Sequence, residues 1–291
     1  KIKSIDTSKA ESHPNVRAVA TSNDLPIPCP VGRGNVFPLG VSDNIFARGK
    51  VLYKGHAVAA VAATSALAAE EALSLIKVEY EPMPWVTDAE EAIEPGAPVL
   101  HEHWTTDDPS GQVLADTNIA SHEQHAFGDL VKGFGEADLI LEREYKSSSV
   151  HQGYIEPQNA TASWSPDGRV TIWCSSQGHF YIQMQTAQIL GLPVSRIRIV
   201  PMEIGGGFGG KLSAYLEPVA AVLSKKSGNP VKMTMSRPEV FESTGPTCGS
   251  KVSVKIGVTK EGRITAAKAV YFFEAGAFPG APLSAAAAAI F

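Results

Sequence analysis

The sequence predicts an α+β chain of two regions, and three observations carry that prediction. Residues 1–94 alternate strand and helix signals in a compact order. Residues 95–117 mix glycine, proline and aspartate with tryptophan and histidine and show no period. Residues 118–291 are dominated by strand-like runs, with helical spacing in a few places only. The expected organisation is therefore a small α+β domain over 1–94, a connection over 95–117, and a second α+β domain from 118 onward. At 291 residues and 44% hydrophobic content, both regions have material for a core.

In the first region, Ala57 to Ala63 reads as a buried strand. Ser65 is placed to cap a helix over "ALAAEEALSL", and "IKVEY" follows with Ile76, Val78 and Tyr80 on one face, bounded by Pro82 and Pro84. The second region opens on the extended passage "EADLILEREYKSSSVHQGYIEPQNATASW". After a turn at Asp167-Gly168, Val170, Ile172 and Cys174 alternate as a strand. Phe180, Met184, Ala187 and Leu190 repeat at helical spacing up to Gly191 and Pro193, a helix with a glycine stop. Arg196 to Ile204 then reads as a strand. Leu216, Val219, Ala220 and Leu223 return to helical spacing, and Pro218, tolerated only in a first turn, sets the helix start near itself.

Composition excludes some partners. The formal net charge is −5 and the Lys and Arg residues are scattered, which leaves no electrostatic footprint for nucleic acid. No run is long and apolar enough for a membrane helix, the alanine run Ala285 to Ala289 included. The chain opens on Lys1 without a basic-then-apolar leader, which reads as a truncated or processed end. Cys29, Cys174 and Cys248 are odd in number and far apart; this suits a reducing, cytoplasmic setting and cannot supply four thiolates for an iron–sulfur cluster. His101, His103, His122 and His125 lack a metal-ligand spacing and read as surface residues.

The chemistry concentrates in "EIGGGFGGKLSA", Glu203 to Ala214. Gly205 to Lys211 fits the opening of a phosphate-binding loop, whose bare N–H groups cradle nucleotide phosphates, but Leu212 stands where a magnesium-binding hydroxyl belongs. The helix expected near Pro218 is also too far on to aim its dipole at the loop. Phe208, a large ring amid glycines, is foreign to a phosphate cradle and suits a bulky planar cofactor or a metal with oxo ligands. Three readings stay open on these residues: a nucleotide hydrolase, another glycine-lined cofactor site, and a tight turn anchored by a buried ring.

"EIGGGFGGK" resembles the signature loop of the molybdenum-binding subunit in the xanthine dehydrogenase and aldehyde oxidase family of molybdenum hydroxylases. Residues 51–93, from "VLYKGHAVAAVAATSALAAEEALSL" through "IKVEYEPMPWVTDAEEAI", are similar to the family's α/β hammerhead domain. "VHQGYIEPQNATASW", "SSQGHFYIQMQTAQILGLP" and "GNPVKMTMSRPEVFESTG" resemble further family segments in the same order. The resemblance covers nearly all of the chain. It implies a hammerhead domain over 1–94 and the first part of a molybdopterin-binding domain over 118–291. Family segments bearing a substrate-orienting arginine, a second glycine-glutamine stretch and a late glutamate base find no match, so the chain is expected to be a piece of a longer polypeptide or one of two chains that share the domain.

By that resemblance, the expected cofactor is molybdenum-molybdopterin, in its cytosine dinucleotide form. The expected partners are the rest of the molybdopterin domain, an iron–sulfur subunit with [2Fe–2S] clusters, an FAD subunit and a small-molecule substrate, which would be hydroxylated with water-derived oxygen. Gln177 matches the glutamine whose amide donates to an oxo ligand of the metal, a donor that adds no charge. Gly206, Gly207, Phe208, Gly209 and Gly210 are expected to pass beside the cofactor, with Gln177 and Phe208 nearest the metal's ligands. Glu156 and Leu212 are expected in the substrate pocket and His151 near its entrance, while Lys211 either caps loop carbonyls or reaches cofactor phosphates. The xanthine-using branch carries glutamate where Leu212 stands; losing that buried partner costs about 1–3 kcal/mol on a purine edge, so an aldehyde or another aromatic N-heterocycle is the expected substrate. The rival readings are a non-catalytic paralogous or assembly subunit and the phosphate-loop hydrolase.

Overall fold

The structure, a computed structural model, describes residues 1–26 and 42–277. Cys29 and the alanine run at 285–289 lie outside them. The chain forms two compact units, each built from separated stretches: one chiefly of Lys1–Trp85 and Gln152–Gly245, the other chiefly of Val86–His151 and Pro246–Gly276.

In the first unit, the strand Ala59–Ala63 buries alternate residues and pairs antiparallel with Val16–Thr21. The helix Ala66–Leu75 follows, with Ser65 Oγ accepting from the amide of Ala68 at 3.2 Å, and Lys77–Tyr80 then pairs antiparallel with Ile2–Asp6. All three elements stand where the sequence puts them.

A four-stranded sheet positions the site. Its order is Ile197–Pro201, Val170–Cys174, Asn159–Trp164, Val231–Thr234. The first two strands run parallel and are joined through the helix His179–Leu190; the remaining neighbours are antiparallel. Val170, Ile172 and Cys174 are wholly buried, as their alternation requires. The edge strand ends at Pro201 and not at Ile204, and an edge is where a proline, lacking its N–H, is tolerated. The helix Glu217–Ser227 starts as Pro218 requires and ends at Gly228, whose φ of 68° closes it. It packs on the sheet through Val219, Ala220 and Leu223, opposite Ala160 and Ala162, small residues that let helix and strand approach closely.

The helix His179–Leu190 ends at Gly191 in the left-handed conformation, as expected, but its buried face differs from the expected one. Phe180 and Met184 point to solvent, while Ile182, Gln185, Thr186, Ile189 and Leu190 are buried with Ala187. Buried Gln185 and Thr186 hid the true face, because apolar spacing alone cannot reveal polar side chains turned inward, such as Gln185, whose Oε1 accepts the backbone amide of Ala214.

The second unit is a three-stranded antiparallel sheet, Leu139–Ser147, Ser250–Val258, Ile264–Phe273, with the middle strand paired on both sides. The helix Leu130–Gly135 lies against it; Gly133 is needed there, since a Cβ would stand 2.4 Å from the carbonyl oxygen of Thr265. The last two strands went unread in the sequence, although Val252, Val254 and Ile256 alternate and Glu261-Gly262 marks a turn. Cys174 and Cys248 are both free thiols.

Candidate active site

The parallel pair of strands ends at one edge of the four-stranded sheet, and the antiparallel strands bring two more connections to that edge. Cys174 pairs with both Pro201 and Ala160, and Asn159 with Thr234. Residues 152–158, 175–178, 202–214 and 235–244 therefore gather there. The carboxyl ends of parallel strands are the usual place for ligand sites in open α/β sheets.

The glycine loop is held mainly by side chains. Gln177 Oε1 accepts from the amides of Gly209 at 3.0 Å and Lys211 at 3.2 Å, while the amide of Gln177 donates to the carbonyl of Lys211 at 3.0 Å. Gln158 Nε2 donates to the carbonyl of Gly210 at 3.0 Å, and Gln185 Oε1 accepts from the amide of Ala214 at 2.7 Å. Within the loop, Gly210 N–H closes a turn on the carbonyl of Gly207 at 2.7 Å. The two central residues of that turn, Phe208 and Gly209, have φ of 50° and 89°. Glycine takes this backbone freely, whereas a phenylalanine pays roughly 1–3 kcal/mol for it. The strained ring is 75% exposed, so Phe208 does not anchor a structural turn.

Close approach explains the other glycines. A Cβ on Gly207 would stand 2.5 Å from Gln177 Oε1, and one on Gly210 would stand 2.6 Å from the Tyr154 ring. Among the described residues the N–H groups of Gly206, Gly207 and Phe208 have no hydrogen-bond partner, although Gly207 is buried. Gln177 is exposed with its Oε1 occupied by the loop, which leaves Nε2 as its available donor.

Lys211 neither caps loop carbonyls nor faces outward toward phosphates. Its side chain is fully buried, Nζ donating to Glu156 Oε2 at 2.6 Å and to Ser175 Oγ at 3.4 Å, 5.0 Å from the centre of the Tyr154 ring. A lysine held this way cannot serve a phosphate loop, and the helix that would point at the phosphates begins only at Glu217. Glu156 Oε2 also accepts from the amide of Gly205 at 2.7 Å, and Oε1 from Asn159 Nδ2 at 3.2 Å. Burial raises the Glu156 pKa, but the Lys211 ammonium and the Gly205 N–H outweigh it and hold the carboxyl below its ordinary value. Leu212 is half-buried, its Cδ2 at 3.3 Å from where a Cβ on Gly178 would stand. Sequence reasoning missed Tyr154, Gln158 and Gln185, all buried in the support of the loop; a polar side chain without periodic company gives no sequence signal of burial.

Elsewhere, His122 Nδ1 lies 2.6 Å from Asp108 and the His101 ring stacks on Trp104, and the described residues contain no His, Cys, Asp and Glu group able to hold a metal ion. Unclaimed backbone N–H groups, a neutral amide donor and a bare glycine surface form a donor set that fits a pterin-bound metal with oxo ligands.

Comparison with known proteins decides the family. The description "Molybdopterin cofactor-binding domain" matches residues 113–291, and "Aldehyde oxidase and xanthine dehydrogenase, a/b hammerhead domain" matches residues 1–84. The chain belongs to the xanthine dehydrogenase and aldehyde oxidase family of molybdenum hydroxylases. It is 31% identical over 279 residues to the nicotinate dehydrogenase large molybdopterin subunit of Eubacterium barkeri, covering 96% of this chain and 61% of that one. It is 32% identical over 288 residues to the carbon monoxide dehydrogenase large chain of Afipia carboxidovorans, covering 96% and 35%. The aldehyde oxidoreductase from Desulfovibrio gigas superposes with a TM-score of 0.77 at 26% identity, over 94% of this chain and 29% of that one. The chain thus spans between about three-tenths and three-fifths of the length of these family members. The resemblance read from the glycine loop and the hammerhead segment holds at the level of family and of an α+β fold.

Proposed function

We propose that this chain is part of the catalytic, molybdenum-cofactor-binding subunit of a hydroxylase acting on an aldehyde or an aromatic N-heterocycle. The observation that carries the proposal is the set of unclaimed donors around one loop: the N–H groups of Gly206, Gly207 and Phe208 beside the Nε2 of Gln177. A molybdopterin bound there would supply the transfer of water-derived oxygen to an electron-poor carbon and the uptake of the electrons released. Gln177 would donate to an oxo ligand without adding charge, and the loop Gly206 to Gly210 would bring backbone against the cofactor, with no room for a side chain at Gly207 or Gly210. Phe208 would lay its exposed ring over the site. Leu212 would give the substrate pocket an apolar wall that leaves a purine edge unpaired, which favours aldehydes and less polar heterocycles.

The same reading takes residues 1–94 as the hammerhead domain, 95–117 as the connection and 118–291 as the first part of the molybdopterin domain. The cofactor is taken in its cytosine dinucleotide form, the electrons pass to [2Fe–2S] and FAD centres on partner chains or domains, and the setting is cytoplasmic. In the described residues no helix is long and apolar enough to cross a membrane. Elemental and cofactor analysis of the native assembly tests the proposal: molybdenum and iron in stoichiometric amounts support it. Their absence would instead favour a non-catalytic subunit that keeps the fold.

A further inference from the structure

Glu156 sits where a substrate contact was expected, but its bonds lead elsewhere. One carboxylate oxygen, Oε2, accepts from the amide of Gly205 at 2.7 Å and from Lys211 Nζ at 2.6 Å. Gly205 opens the glycine loop and Lys211 closes it, so a single atom ties the two ends together. The tie is doubled at the first end, where the amide of Glu156 donates to the carbonyl of Gly205 at 3.1 Å. It is also tight: a Cβ on Gly205 would stand 2.5 Å from the Cβ of Glu156. At the second end, Lys211 is also the residue whose amide and carbonyl both bond Gln177. The ammonium held by Glu156 and the backbone that registers Gln177 thus belong to one residue.

We infer that Glu156 and Lys211 form a clasp that sets the span of the glycine loop and, through it, the placement of Gln177 and of the free N–H groups at Gly206 to Phe208. Both are positioning residues, and neither touches substrate. The inference rests on the reading of this loop as the cofactor's support. A lysine with a fully buried side chain and a partner carboxylate that also serves backbone is a costly arrangement, because removing the carboxylate strands the Lys211 ammonium away from water. What it gives in return is geometric: Gly206 to Gly210 contain one internal hydrogen bond among the described residues, Gly210 to Gly207, so the loop has little means of holding its own shape.

The test uses the native assembly and three variants, Glu156→Gln, Glu156→Asp and the double change Glu156→Gln with Lys211→Met. The readouts are amide hydrogen exchange in residues 205–211, kcat and KM separately, and molybdenum content. In Glu156→Gln, exchange at Gly205, Gly209 and Lys211 is expected to rise at least tenfold over that of the 170–174 strand, with kcat down ten- to a hundredfold and KM moved less than threefold. Glu156→Asp keeps the charge but is one methylene too short to serve both ends, and it is expected to show the same pattern more weakly; it keeps the question open to decision should the glutamine variant fail to fold. The double variant removes the stranded charge and is expected to regain thermal stability while exchange in the loop stays fast. A tenfold rise in KM at unchanged kcat and unchanged exchange would overturn the clasp and return Glu156 to the substrate pocket. Full recovery of slow exchange in the double variant would also overturn it, by showing that the pair serves stability alone. Lack of molybdenum in the unmodified assembly would sink the functional reading and leave the exchange result to decide the clasp.

Discussion

The side-chain oxygen of Gln177 accepts the backbone amide of Gly209 at 3.0 Å, so the residue proposed to face the cofactor is itself a fastener of the loop. Its two ends have separate tasks, and substitution separates them. Gln177→Ala removes both and is expected to lower turnover ten- to a thousandfold and to cost about 1–3 kcal/mol of stability through the unpaired Gly209 and Lys211 amides. Gln177→Glu keeps an acceptor for the loop but loses the donor, so its stability is expected to match the parent while turnover falls as far. Turnover per molybdenum and the thermal midpoint check both; full activity in metal-replete Gln177→Glu would remove the amide donor from the site.

Gly207 gives a second way to displace the same amide. Its Cβ would stand 2.5 Å from Gln177 Oε1, whereas Gly209 has open space around it and only a φ of 89° to protect. Gly209→Ala is expected to cost about 1–2 kcal/mol of strain. Gly207→Ala is expected to lower turnover at least as much as Gln177→Ala, with less loss of fold. Equal and mild effects of the two substitutions would mean that Gln177 has room to move.

Two glutamates make stability depend on pH with opposite signs. The Glu156 carboxyl lies below its ordinary pKa, so its contribution is present above the unfolded value of about 4.3 and is lost as pH falls through the folded value. Glu217 is buried at the start of its helix, and desolvation raises its pKa despite the Tyr215 N–H bonded to Oε2 at 2.9 Å. Its contribution is complete below about 4.3 and is lost as pH rises from there through the folded value. Unfolding midpoints between pH 4 and 8 should therefore respond oppositely: Glu217→Gln gains most at the alkaline end, and Glu156→Gln loses most there, up to about 3 kcal/mol. Midpoint differences that do not change with pH would show that neither group titrates as described.

Leu212 tests the substrate class and the discarded nucleotide reading together. Leu212→Glu is expected to shift the ratio of kcat/KM for hypoxanthine over a simple aromatic aldehyde upward, by the roughly 1–3 kcal/mol that one buried hydrogen-bonding group controls. An unchanged ratio in a metal-replete variant would mean that position 212 does not meet substrate. Leu212→Thr completes the phosphate-loop pattern on paper, yet with Lys211 buried on Glu156 it is expected to bind no magnesium nucleotide; calorimetry with ATP reads this directly.

Strand and helix positions were legible wherever one physical signal sufficed. Ser65 as a cap, Gly191 as a stop and Pro218 as a start each act through local backbone chemistry, and each stands where it was expected. The glycine loop was legible for the same reason. The roles of its supports were not: Gln158 and Gln185 drew no reading, and Lys211 read as a cap on loop carbonyls or a phosphate contact, because their burial depends on segments distant in sequence. Glu156 was picked out as chemically interesting, but its partner was hidden until the fold brought Lys211 to it.

The fastenings of the glycine loop reach far back along the chain: from Gly209 to Gln177, from Gly210 to Gln158 and from Lys211 to Glu156, separations of 32, 52 and 55 residues. Contacts of that range form only after the intervening chain has been closed into large loops, an entropic toll that slows them relative to helix and hairpin. The sheet that carries the loop has pairings of longer range still, Asn159 with Thr234 among them, so the cradle and its scaffold belong to one long-range assembly, and neither can be cut out as a self-sufficient local piece.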